Sequence, residues 1–94
     1  MPLRICFIAS EIAPLAKTGG LADVAGALTK YLTSAGHELR VFMPLYRQIE
    51  RRGLDIWPVE FLSNIPLQLG PHALRFDVYT ARLPGSQAMV YLID

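Results

Sequence analysis

Ninety-four residues allow one small domain with a single modest core, since folding at this size buries only about two-thirds of the extended chain's surface. A composition that is 52% hydrophobic and 18% charged excludes a disordered chain, because enough apolar surface is available to offset the entropy of ordering. The net charge of +1 excludes a global field that would gather nucleic acid or an acidic membrane, so any recognition of an anion has to be local.

From the N-terminus, residues 3–9 form a nearly continuous apolar run with β-branched and aromatic members. They are expected to make a strand covered on both faces, central in a parallel sheet. Cys6, the single cysteine, cannot form an internal disulfide and is expected to be reduced and buried in that strand. The run is too short to span a membrane and lacks a signal-like cleavage region, so a cytoplasmic protein is the expectation. Ser10 to Ala16 should be a loop, since Pro14 disfavours helix at Ala13 and cannot donate to a ladder. The loop leaves the carboxyl end of the strand, the edge at which open α/β sheets bind ligands.

The apolar residues Leu21, Val24, Ala25, Leu28, Tyr31, Leu32 and Ala35 recur at spacings of three and four and predict one face of a helix. Gly36 is placed to end it in a left-handed conformation, and Asp23 suits its positive end. Residues 38–43 predict a second strand stopped by Pro44, which completes a parallel βαβ unit. Beyond it, Tyr46 to Arg52 suggests one helical turn, whose Arg47, Arg51 and Arg52 fit either a solvated face or an electrostatic contact to a partner or a polyanion. Residues 59–69, 72–83 and 87–93 then have a strand-like pattern. Gly70-Pro71 and Pro84-Gly85-Ser86 are turn signals that favour antiparallel pairing, and Asn64 and Pro66 should interrupt the first of these strands.

Lys17-Thr18-Gly19-Gly20-Leu21 carries the most chemistry. Glycines at a helix entrance let a ligand approach free backbone amides, the helix dipole favours an anion, and Lys17 adds a cation. The order of residues is not that of a P-loop, whose glycines precede the lysine. No acidic residue follows the second strand to grip a ribose, which argues against a dinucleotide fold of the three-glycine type. Two readings remain: a cradle for a nucleotide diphosphate, or a turn that the glycines permit beside a solvated lysine. Glu11 and Asp23 flank the same crevice, where carboxylates could bond sugar hydroxyls, cap a helix or face water. His37 and His72 show no spacing to further ligands, and no metal site is expected.

Taken together, residues 8–24, Ile-Ala-Ser-Glu-Ile-Ala-Pro-Leu-Ala-Lys-Thr-Gly-Gly-Leu-Ala-Asp-Val, resemble the N-terminal signature of bacterial glycogen synthases and plant starch synthases. The resemblance continues through Gly26-Ala27-Leu28, Ala35-Gly36-His37, Met43-Pro44 and Tyr46. It is looser at Leu83-Pro84-Gly85 and Val90-Tyr91-Leu92-Ile93-Asp94. It implies a retaining glucosyltransferase that moves glucose from ADP-glucose to the non-reducing end of an α-1,4-glucan such as glycogen, with no metal and no other cofactor. Such enzymes use two Rossmann-like domains, with the active site in the cleft between them. The resemblance assigns Lys17, Gly19 and Gly20 to the sugar-nucleotide phosphates and Glu11 and Asp23 to the acceptor side. It makes the location cytoplasmic, or plastidic in a plant.

By the same resemblance, residues 1–94 are the N-terminal portion of the first Rossmann-like domain. The expected fold is an incomplete α/β unit, a parallel βαβ followed by antiparallel strands. The family's later histidine and aspartate, and the whole second domain with its Arg/Lys pair and glutamate motif, lie outside the sequence. No catalytic residue is therefore assigned within it, and transfer by this chain without the missing C-terminal part is not expected. The alternative is a non-catalytic, truncated binding or interaction module.

Overall fold

The computed structural model describes residues 2–51 and 55–94. Strands β1 (Arg4–Ile8) and β2 (Glu38–Pro44) flank helix α1 (Gly20–Ser34). After a short helix, α2 (Arg47–Arg51), come β3 (Trp57–Pro58), β4 (Ile65–Leu69), β5 (His72–Phe76), β6 (Val78–Arg82) and β7 (Met89–Ile93). One sheet has the order β1-β2-β7-β6-β3, and β4 and β5 form a separate hairpin. The pairs β1–β2 and β2–β7 are parallel, whereas β6–β7 and β4–β5 are antiparallel. This is the expected mixed α/β architecture. Of the predicted turn from Tyr46 to Arg52, residues 47–51 are helical, and Arg52 lies outside the described residues.

Both turn signals act as their chemistry requires. Gly70 and Gly85 adopt φ of 57° and 77°, a left-handed region that favours glycine. The predicted strand 59–69 shrinks to β4, because Glu60–Leu62 form a 3-10 turn and Asn64 takes a φ of 54°. Pro66 does not interrupt the strand: it pairs with Arg75 inside the two-stranded hairpin, where an edge tolerates a missing donor. The predicted strand 72–83 divides at Asp77, whose carboxylate accepts the Asn64 N–H and whose backbone exchanges two hydrogen bonds with Asp94.

Helix α1 ends as expected. The Gly36 N–H reaches the Thr33 carbonyl at 3.1 Å and the His37 N–H reaches that of Leu32 at 3.2 Å, with Gly36 at φ 91°; this is a Schellman closure. Of the predicted face only Ala25 is fully buried. Ala22, Ala25, Gly26 and Thr29 are buried, while Leu21, Val24, Leu28 and Tyr31 are exposed. The helix packs through small residues because the Ser10–Ala16 loop lies directly against it. A Cβ on Gly26 would sit 2.5 Å from the Ala13 carbonyl oxygen.

Two further expectations are corrected at β1. Among the described residues it is an edge strand paired on one side, and its alternation leaves Arg4, Cys6 and Ile8 exposed. Cys6 is therefore an exposed thiol rather than a buried one. Paired residues share a face of the sheet, and the registers align Ile8, Phe42, Tyr91, Thr80 and Trp57 in one row across all five strands. Phe42 and Tyr91 stack with ring centroids 5.2 Å apart, yet Ile8 is 78% exposed at one end of the row and Trp57 50% at the other. The core lies on the opposite face, where Val41, Met43, Val90, Leu92 and Ala81 meet residues of the first loop.

Candidate functional site

The loop after β1 is part of the core. Ile12, Leu15 and Ala16 are almost fully buried, so their apolar side chains pin the segment beneath α1. The Ala16 N–H bonds the Ile12 carbonyl at 3.0 Å, and the Ala13 N–H bonds the Ala22 carbonyl at 3.0 Å. The peptide between Ala13 and Pro14 is cis. These contacts deliver Lys17 to Gly20 to the surface, where all four residues are exposed.

Parallel strands bring further elements to the same edge. The Tyr46 hydroxyl, just past β2, donates to the Ser10 carbonyl at 2.9 Å, and the Leu45 N–H donates to the carbonyl of Ile93 at the end of β7 at 2.8 Å. The motif thus sits at the carboxyl ends of three parallel strands. That edge is where open α/β sheets place their ligands.

Helix α1 begins at Gly20, and its N-cap residue, Gly19, makes no side-chain capping bond. The first amides of a helix have no partner within it, so this end presents donors to whatever approaches. Nothing in the fold demands glycine at either position. Gly19 has an extended φ of −169°, which any residue adopts, and a Cβ built on Gly19 or Gly20 would meet no atom within 4 Å. What the two glycines do is keep the approach to the helix end open.

The structure brings all five residues assigned from sequence into one corner. Lys17 Nζ lies 2.9 Å from Asp23 Oδ2, an ion pair roughly half exposed on both sides. Glu11 turns to Thr18: the Thr18 N–H donates to Oε2 at 3.0 Å and the Thr18 hydroxyl to Oε1 at 2.6 Å. One ammonium against two carboxylates leaves the corner short of positive charge. Beside it, Ala13, Pro14, Asp23, Gly26, Ala27 and Lys30 line an open groove.

Sequence reasoning passed over three contributors: Thr18 as the partner of Glu11, Gly26 as the seat of the loop, and Tyr46 as the link between the first two strand ends. Gly26 could have been found from its place in Ala25-Gly26-Ala27, a run of small residues inside a helix that signals close backbone approach. The histidines are structural or exposed. His37 Nδ1 accepts the Leu3 N–H at 3.0 Å, and His72 is exposed. Among the described residues no group of His, Cys, Asp and Glu is arranged to hold a metal, and no helix is long and apolar enough to cross a membrane.

This open, glycine-lined helix end at the carboxyl ends of parallel strands agrees with a family assignment. A family model for the starch synthase catalytic domain matches residues 4–94, and the chain belongs to that family. It is 45% identical over 94 residues to a glycogen synthase of Moorella thermoacetica and 44% identical to glycogen synthase 1 of Geobacter sulfurreducens. These alignments cover 99% and 98% of this chain but 18% of each relative. The chain thus spans under one-fifth of the relatives' length. Among solved structures it is similar to the catalytic domain of starch synthase IV from Arabidopsis thaliana bound to ADP and acarbose. That match has a TM-score of 0.82 and 26% identity, covering 99% of this chain and 18% of the other.

Proposed function

We propose that this chain forms the donor-phosphate wall of a glycogen or starch synthase. In this reading the whole enzyme transfers glucose, with retention, from ADP-glucose to the non-reducing end of an α-1,4-glucan. The observation that carries it is the open, uncapped N-terminus of α1 at Gly19 and Gly20 with Lys17 beside it. Lys17 and the first helix amides receive the diphosphate and stabilise the charge that grows on it as the glycosidic bond breaks. The ADP bound to the starch synthase IV neighbour supports the choice of nucleotide. The excess of carboxylates in the corner implies that the remaining positive charge comes from outside these residues, from the rest of the first domain and from a second one.

Titration of the ¹⁵N-labelled chain with ADP-glucose tests this. Amide shifts at Lys17, Gly19 and Gly20 that saturate, and that vanish in Lys17→Ala, are the expected result. A folded chain with no perturbation at these amides overturns it. Glucosyl transfer is expected only when the remainder of a glycogen synthase is supplied.

A second reading, a non-catalytic interaction module, is favoured by the exposed apolar residues on the outer side of α1 and at the ends of the row from Ile8 to Trp57. Sedimentation velocity separates it from the first. A monomer that binds ADP-glucose supports the donor wall, and an associated species that ignores the nucleotide supports the module.

A further inference from the structure

The two carboxylates of the corner are held differently. Asp23 pairs with the half-exposed ammonium of Lys17, whereas Glu11 binds the backbone of the motif itself. Its two oxygens take both the N–H and the hydroxyl of Thr18, seven residues on. Between the two residues the chain turns through Ile12, Leu15 and Ala16, which the core holds fast. The stretch from Lys17 to Gly20 that follows is exposed, and its two glycines leave the backbone free to take several conformations. A bidentate, charge-assisted clasp at Thr18 closes that stretch from its free side.

We propose that Glu11 is a positioning residue. By accepting both donors of Thr18 it withdraws that amide from any ligand and holds the loop so that the amides from Gly19 onward, with Lys17, remain for the donor's diphosphate. Both donors on Glu11 are neutral, so its negative charge stays beside the anion site and the clasp acts through the geometry of the loop. The inference rests on the donor-phosphate reading above, and its test separates the two.

Amide hydrogen exchange and ADP titration are measured on the wild-type chain and on Glu11→Ala, Thr18→Val and Thr18→Ser. Without ligand, Glu11→Ala should speed exchange at Thr18 and shift the Gly19 and Gly20 amides while those of β2 and β7 stay unchanged. With ADP as the probe, Glu11→Ala should weaken binding about tenfold, the scale of a lost charge-assisted hydrogen bond. Thr18→Val, which keeps the N–H but loses the hydroxyl, should fall between. Thr18→Ser, which keeps both donors, should match wild type; a side chain needed only for packing would not be rescued in this way. Unchanged exchange and unchanged Gly19 and Gly20 shifts in Glu11→Ala overturn the positioning role, whether or not ADP binds. Wild-type protein in which ADP leaves Lys17, Gly19 and Gly20 untouched overturns the donor reading instead.

Discussion

Lys17 Nζ lies 2.9 Å from Asp23 Oδ2, joining the cation of the motif to the first turn of the helix that follows it. With both side chains about half exposed, water screens the pair, and such contacts contribute only about 0.2–1 kcal/mol. An incoming diphosphate therefore competes with Asp23 for the ammonium at little cost. Asp23→Asn should free Lys17 and remove one negative charge, so the isolated chain should bind ADP roughly two- to fivefold more tightly. Lys17→Ala should abolish measurable binding. Amide-shift titrations at fixed low salt check both; weaker binding by Asp23→Asn would show that Asp23 contributes contacts of its own.

Gly19 offers a separation of stability from recognition. The N-cap is uncapped and extended, with open space around it, so a serine there would accept a hydrogen bond from the second or third helical amide. Serine in place of an N-cap glycine contributes only a few tenths of a kcal/mol. Gly19→Ser should raise the melting temperature by about 1–2 °C, since about 1 kcal/mol shifts a domain of this size by roughly 4–8 °C. The same hydroxyl would take an amide that the phosphate needs, so ADP binding should weaken. A thermal melt and a titration on one sample test the pair, and tighter binding by the more stable variant would contradict the amide cradle.

Gly26 behaves in the opposite way. Its missing Cβ would stand 2.5 Å from the Ala13 carbonyl oxygen, a backbone atom that cannot rotate aside. Gly26→Ala must move the loop away from the helix, and overpacking of this kind costs about 1–3 kcal/mol. The loop carries Ile12 and Leu15 into the core and Lys17 to the surface. The variant should thus lower the melting temperature and perturb the Lys17 to Gly20 amides together. An unshifted melt would mean that the loop is held less tightly than its contacts indicate.

The elements of the first half were legible because their boundaries are chemical: Pro14, Gly36 and Pro44 stop or turn the chain where the structure does. The orientation of α1 was not. Its periodicity contains two apolar faces, and the larger residues, Leu21, Val24, Leu28 and Tyr31, are the ones that stay outside. A helix seated through Gly26 onto a backbone carbonyl buries small side chains, and a hydropathy pattern gives those little weight. The place of β1 failed for a related reason. An apolar strand announces that it is to be covered, but not whether the covering partner lies within the same 94 residues. At the site, residue types and spacing identified the corner, while the pairings of Glu11 with Thr18 and of Lys17 with Asp23 needed three-dimensional distances.

The exposed apolar residues make a last prediction. The row from Ile8 through Phe42 and Tyr91 to Trp57 ends in apolar side chains 78% and 50% exposed. The outer side of α1 adds Tyr31, 69% exposed. Apolar surface of this extent favours association, and β1 offers an unpaired edge beside it. Charged residues at Ile8 and Tyr31 should remove the attraction without touching the core, because neither side chain is packed in it. Ile8→Lys with Tyr31→Lys should leave the melting temperature within a few degrees of wild type, since surface changes are usually within about 0.5 kcal/mol. The double variant should also shift sedimentation at high concentration toward the monomer. Because the Lys17 to Gly20 corner contains neither residue, its response to ADP should be retained. Loss of folding in the double variant would instead place these side chains in a core contact.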